Sequence, residues 1–227
     1  MMELLIFILG ASLGSFYHVV GCRLPLGMDW IKGRSRCPNC SRELTWRELL
    51  PICSYLASRG RCCGCRQRIS WMYPFWELLS GWAFLLSYLL LPGPLLLQAW
   101  VFTSLLLVIS VTDLYYGLIP NKVLLFFLYF LVLFPFSFWG GALGFLLLLI
   151  SGRIGSLLLG KTALGGGDIK LFGVVGGVLG PSGLLMSLIL ASGLGLLYAS
   201  ALKKTILPFG PFIAAGAYLA YFLTVLA

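Results

Sequence analysis

The sequence predicts an all-α polytopic membrane protein of about eight transmembrane helices, with one small soluble module inserted between helices 1 and 2. Three observations carry that expectation. Of the 227 residues, 60% are hydrophobic and only 10% are charged, whereas soluble domains carry about 25% charge. The mean hydropathy is +1.00. The apolar residues also fall into runs close to the roughly 20 residues that span hydrocarbon.

The first run, 3–21, carries Glu3 at its start and has no basic residue ahead of it. A cleaved signal needs a positive n-region, so this run is expected as a retained span. Residues 23–71 form the sizeable soluble segment. The remaining spans are expected at 72–91, 95–112, 121–138, 140–158, 168–180, 183–202 and 208–226. Glycine and proline punctuate them at Pro92-Gly93-Pro94, Gly117, Pro120, Gly140, Gly165 to Gly167, Pro181 and Pro208. The expected organisation is therefore a first helix (1–22), a soluble module (23–71) and a membrane bundle (72–227). The run 168–180 would reach only about 20 Å as a helix, so it is expected to begin inside the membrane beneath a water-filled dip. Its Gly173, Gly176, Gly177 and Gly180 suit close helix packing.

The net charge of +9 follows topology. Ten of the sixteen basic residues lie between Arg23 and Arg68, and the others are Lys122, Arg153, Lys161, Lys170, Lys203 and Lys204. Cytoplasmic loops accumulate Lys and Arg. With both termini outside, the cytoplasmic segments are 22–71, 113–120, 159–167 and 203–207. Every basic residue falls in or beside them, and the opposite turns have none. A bilayer is thus the expected partner of this charge, and nucleic acid is not.

The module holds two knuckles, Cys37-Pro38-Asn39-Cys40 and Cys62-Cys63-Gly64-Cys65. Paired CxxC knuckles suggest a tetrahedral Cys₄ zinc site, and on the cytoplasmic side thiols stay reduced. Four thiolates leave no open position, so the ion is structural. Cys62 and Cys65 have the CxxC spacing of the second knuckle, and Cys63 is a neighbouring thiol that could replace one of them. Cys22 and Cys53 are expected as ordinary buried thiols, and Trp46, Trp71, Trp76 and Trp82 as an interfacial aromatic belt.

After Glu77 the only acidic residues are Asp113 and Asp168. Each stands beside glycine or proline at the edge of an apolar run, on the cytoplasmic side. Carboxylates are costly in hydrocarbon and mark function there. Two that meet share one proton. The ionised one can take a proton from water while the other donates to a scissile carbonyl, which is peptide hydrolysis without a covalent intermediate. Two plainer accounts compete: each aspartate caps a helix, or each pairs with Lys122 or Lys170. A proton-relay transporter and a zinc-dependent scaffold are the alternative functions.

Gly165-Gly166-Gly167-Asp168 contains the pattern GxGD and resembles the GxGD membrane aspartyl proteases, specifically the bacterial type IV prepilin peptidases. Gly14-Ser15-Phe16-Tyr17-His18-Val19 resembles that family's G-S-F-x-N-V segment, followed by Arg23-Leu24-Pro25. Tyr73-Pro74-Phe75-Trp76-Glu77 resembles its Y-P-x-x-E, Asp113 to Pro120 its D-x-x-x-x-x-I-P, and Phe209-Gly210-Pro211 its F-G-P. The matches run the length of the chain in order. His18 departs from the family's asparagine and reads as a polar packing residue. The resemblance implies catalytic Asp113 and Asp168, and zinc ligands Cys37, Cys40, Cys62 and Cys65. It also implies a bacterial cytoplasmic-membrane enzyme that cleaves prepilins or pseudopilins between a basic leader and a hydrophobic helix. N-methylation by S-adenosylmethionine is the implied second step. Glu77 is a candidate contact for that cofactor; Glu43 and Glu48 read equally well as surface charges.

Overall fold

The structure is a computed structural model that describes residues 1–30, 34–160, 164–203 and 207–226. Lys32, Lys161 and Lys204, counted in the charge pattern, lie outside the described residues. Among the described residues extended pairing is limited to two isolated antiparallel bridges, Arg36 with Glu43 and Arg61 with Arg68. The rest is helix and turn, in two compact units, Met1–Leu96 and Leu97–Ala227.

In the first unit, α1 (Met2–Arg23) ends in a 3₁₀ turn over Leu24–Leu26, closed by Gly27 at φ 67°. The short α2 (Cys53–Ala57) belongs to the soluble module, and α3 (Met72–Leu90) returns along α1. Small residues set that pairing. A Cβ on Gly14 would lie 2.6 Å from the Trp76 carbonyl oxygen, and one on Gly10 would lie 2.9 Å from that of Ser80. The two backbones therefore touch, as small residues permit in apolar helix pairs. His18 is buried in the same unit, its ring 4.6 Å from that of Tyr73 and its Nε2 3.9 Å from Cys22 Sγ. These contacts suit a packing role.

α4 (Gly93–Tyr116) crosses the division of the two units. The second unit continues with α5 (Asn121–Leu131), α6 (Phe138–Leu159), α7 (Gly166–Leu202) and α8 (Gly210–Leu226). α4 supplies much of its core: Phe102, Leu105, Ile109, Val111 and Thr112 are almost wholly buried. At its start Tyr221 donates to Gln98 Oε1, and Gln98 Nε2 donates to the Pro135 carbonyl.

Glycine governs the packing of α6 on α7. A Cβ on Gly140 or on Gly176 would overlap the other's carbonyl oxygen, and Gly141 faces Gly173 and Gly177. The glycines expected to pack helices do so here. α7 is broken at Gly180, at φ 70° and ψ −179°, before Pro181. The chain folds back there. A Cβ on Gly176 would lie 3.3 Å from Leu184 Cδ1, although eight residues along a straight helix cover about 12 Å.

Four stretches are long and apolar enough to cross a membrane: Met2–Leu26, Gly93–Tyr116, Phe138–Leu158 and Gly166–Leu202. Apolar side chains such as Phe126, Tyr129, Leu157, Leu158, Ile189 and Leu196 are exposed, as a surface solvated by lipid requires.

Three expectations need correction. The run 121–138 is helical only to Leu131. Pro135 cannot continue a helix and disfavours helical backbone before it, and the unbroken apolar run conceals that stop. Trp46, Trp71 and Trp82 are exposed, but Trp76 is only 5% exposed, so it belongs to the core and not to a belt. Cys53 is exposed and Cys22 half-buried, so neither is the fully buried thiol expected.

Candidate active site and metal centre

Asp113 lies on the last turn of α4 and is 7% exposed. The C-terminus of a helix is unfavourable for a carboxylate, so its position needs an offset. The N–H of Gly210, the first residue of α8, supplies one by donating to Asp113 Oδ2 at 2.7 Å. Amides at a helix start have no partner within the helix and carry positive partial charge. A Cβ at position 210 would lie 2.8 to 3.0 Å from the Asp113 side chain, so the approach requires glycine. α4 stops directly afterwards: Gly117, at φ 62°, donates its N–H to the Asp113 carbonyl at 2.8 Å.

Asp168 is the third residue of α7 and half-buried. Its carboxylate accepts the N–H of Gly165, so it does cap its own helix. That role does not exclude another, because one amide engages only part of a carboxylate's acceptor capacity. The segments bearing the two aspartates are joined twice. A Cβ on Gly167 would fall 2.8 Å from that of Ile119, and Lys170 Nζ donates to Asn121 Oδ1 at 2.9 Å. The field of Asp113 reaches Asp168. Among the described residues neither aspartate forms an ion pair, and Lys170 is engaged with Asn121.

The four cysteines expected as ligands are the ones the module brings together: the Sγ atoms of Cys37, Cys40, Cys62 and Cys65 all lie within 4.8 Å of one another. Cys37 to Cys65 is 3.9 Å and Cys40 to Cys62 is 4.0 Å. Zn–S bonds of about 2.3 Å in a tetrahedron place sulfurs about 3.8 Å apart, so the donor set fits zinc. Cys63 is exposed and outside the group. The knuckles share one backbone design. Ser41 and Arg66, each four residues after the first cysteine, take left-handed φ of 57° and 59° and donate N–H to the carbonyls of Cys37 and Cys62. The amides of Cys65 and Gly64 pull the Cys62 thiol down to about 6, and that of Gln67 lowers Cys65. The Arg42 amide acts the same way on Cys40, but desolvation and the neighbouring thiols outweigh it and push that thiol up to about 11. Thiols this close resist joint ionisation, and a bound cation is what lets all four be thiolates.

Glu43 bridges Arg34 and Arg36 on the surface. Glu48 pairs with Arg42 and closes a capping box with Thr45, so both carboxylates serve local structure. Glu77 differs. It sits on α3, is 8% exposed, and has no ion pair among the described residues. Its Oε2 accepts the N–H of Ile52 at 2.7 Å. Ile52 has φ 63° and ψ −51°, and Cys53 N–H bonds the Pro51 carbonyl around it. That is a γ-turn of the rare positive-φ kind, strained for a β-branched residue. Glu77 also lines a cavity of about 430 Å³ beside the cysteine module.

Two features escape sequence reasoning. The Gly210 contact joins residues 97 positions apart, although F-G-P could flag it. Nothing at Pro51-Ile52-Cys53 signals a strained turn, since isoleucine is a poor choice for it.

Comparison with known proteins places residues 8–91 in the bacterial peptidase A24 N-terminal domain and residues 100–200 in the type IV leader peptidase family. A prepilin leader peptidase/N-methyltransferase of Bacillus subtilis (strain 168) is 43% identical, over 96% of this chain and 92% of its own. One of Klebsiella pneumoniae is 36% identical over 82% of this chain and 89% of its own. One of Dickeya chrysanthemi is 33% identical over 98% and 93%. No solved structure matches the chain.

Proposed function

The chain belongs to the type IV leader peptidase family, and we propose that it is an aspartic endopeptidase that removes the leader of type IV prepilins or pseudopilins and then methylates the new N-terminus. The observation that carries the peptidase assignment is the convergence of the Asp113 and Asp168 segments within one unit. Gly210 fixes Asp113 Oδ2, leaving Oδ1 to meet water. One carboxylate takes a proton from that water as its oxygen attacks the scissile carbonyl carbon. The other gives its proton to the carbonyl oxygen. Collapse of the tetrahedral diol breaks the C–N bond, and the leaving amine takes a proton from the pair.

The apolar segments α1, α3, α4, α6, both arms of α7, and α8, together with the run 121–138 that α5 opens, are the eight membrane crossings of this reading. Both termini lie outside and residues 23–71 in the cytoplasm, between the first helix (1–22) and the bundle (72–227). Cleavage takes place at the cytoplasmic face of the bacterial inner membrane. The substrate's hydrophobic helix lies in the bilayer and its basic leader reaches the aspartates. Zinc, held by Cys37, Cys40, Cys62 and Cys65, is structural. S-adenosylmethionine, when bound, supplies an electrophilic methyl group, and Glu77 is its proposed contact.

The test is cleavage of a prepilin-like substrate by purified protein. Asp113→Asn and Asp168→Asn should each slow it by about 10² to 10⁴, the usual contribution of a positioned acid or base. Cleavage at the wild-type rate in either variant would reject the pair. Proton-coupled flux in liposomes, lost with either variant, would favour a transporter instead.

A further inference from the structure

We propose that residues 46–57 of the cysteine module form a wedge set into the bilayer: their apolar face lies among phospholipid acyl chains beside α1 and α3. The inference goes beyond the function proposed above and rests only on α1 crossing the membrane.

The segment consists of a 3₁₀ turn at Trp46–Leu49, the strained turn at Ile52, and α2. Trp46, Leu49, Leu50, Cys53, Leu56 and Ala57 are exposed. They recur three and four positions apart, whereas Glu48, Pro51, Ile52, Ser54 and Tyr55 between them are half-buried. This is amphipathic spacing with the apolar side turned away from the protein. A contiguous apolar face of that kind marks an interaction surface.

Its position selects lipid as the partner. Pro51, Ile52 and Cys53 line an apolar groove of about 290 Å³ together with Ile8 and Ala11 of α1 and Leu78 of α3. Ala11 is about 18 Å along the helix from Arg23, so the groove flanks the body of the membrane-length stretch Met2–Leu26 and not its end. Leu4, Leu5, Ile8, Leu78 and Leu79 are exposed on the same two helices. The wedge continues a surface that is itself solvated by lipid.

The backbone fits that medium. Irregular chain at membrane depth needs its N–H groups satisfied internally. Pro51 has none. Ile52 donates to Glu77, Cys53 to the Pro51 carbonyl, Ser54 to that of Leu50 and Leu56 to that of Ile52. A positive φ usually falls to glycine or asparagine. Isoleucine holds it here, and a branched apolar side chain is what a turn among acyl chains requires.

Charge agrees. Arg47 and Arg59 stand at the two ends of the segment, exposed and, among the described residues, without an ion pair. Arg47 lies 5.2 Å over the Trp46 ring. The segment's one carboxylate, Glu48, is engaged by Arg42 and Thr45. Cations beside an aromatic and an apolar face suit the headgroup boundary, with phosphates above and chains below. A purely apolar protein partner would leave both arginines unopposed, whereas phospholipid supplies both chemistries.

The test uses the full wild-type chain in liposomes of phosphatidylcholine and phosphatidylglycerol. A small share of the phospholipid carries a tritiated, photoactivatable diazirine on its acyl chain. After illumination, trypsin releases residues 48–59 as one peptide and residues 1–23 as another. Both should carry label. Label in 1–23 with none in 48–59 would overturn the proposal. Loss of the 48–59 label under saturating prepilin-like substrate would also overturn it, by giving this face to the substrate's hydrophobic helix. In Leu50→Asp the label in 48–59 should fall at least about tenfold, because hydrocarbon expels a carboxylate, with zinc content as in wild type. Undiminished label in that variant would show that the apolar face is not seated in lipid.

Discussion

The cysteine module and the apolar helices of the second unit are ordered by opposite devices. In the first, side chains reach out: four thiols gather, Glu48 caps Thr45, and Glu77 holds a strained turn. In the second, side chains are missing where it matters. Gly140, Gly144, Gly173 and Gly176 bring helices into backbone contact, and Gly210 admits an amide to Asp113. The soluble module has too few apolar residues to order itself by burial, so it depends on ligation and hydrogen bonds. The apolar unit gains little from helix-to-helix burial in lipid, which is as apolar as its own side chains, so close packing must supply the specificity. The lesson is that a polar substitution threatens the module and an added methyl threatens the helix pairs, at Gly14 as at Gly176.

That contrast can be broken most severely in the module. Cys40→Ser should abolish stoichiometric zinc, read by elemental mass spectrometry, and expose the arginines of 34–68 to trypsin. Apparent zinc binding in small Cys-rich modules is worth about 10–16 kcal/mol, so partial occupancy with an unchanged digest would deny the metal its structural role. Gly210→Ala comes next. It drives a methyl against Asp113 and displaces an amide bonded to a carboxylate, so cleavage should fall about ten- to a hundredfold, with zinc content unchanged. Gly176→Ala should lower stability in detergent by about 1–3 kcal/mol, the usual cost of overpacking, with a proportionate fall in melting temperature. Glu43→Ala removes an exposed carboxylate bridging two arginines and should alter neither zinc content nor activity measurably. A large loss there would show that the module's surface charges do more than the structure indicates.

Much of this was legible in the sequence because the signals were local or compositional. Apolar runs announced the helices, CxxC spacing announced the knuckles, and the scarcity of acids singled out Asp113 and Asp168. What stayed hidden was long-range or conformational. The stop at Leu131 was masked because Phe134, Pro135 and Phe136 are as apolar as a span. Trp76 read as interfacial because a tryptophan near a span end resembles a belt residue, whereas the close approach of Gly14 buries it. The amide of Gly210 and the turn at Ile52 arise from tertiary contacts, to which periodicity is blind. The glycine spacing of 173–180 marks a packing face in the sequence, but its partners Gly140 and Gly141 on α6 follow only from the fold.

The proposed chemistry requires Asp113 and Asp168 to act on one substrate as one unit. Cleavage rates of Asp113→Asn, Asp168→Asn and the double variant, measured together on a single prepilin-like substrate, test this directly. Residues that act together are strongly non-additive, so the double variant should be no slower than either single one. If the two losses multiply, or if either single variant cleaves at the wild-type rate, the aspartates are not a catalytic pair.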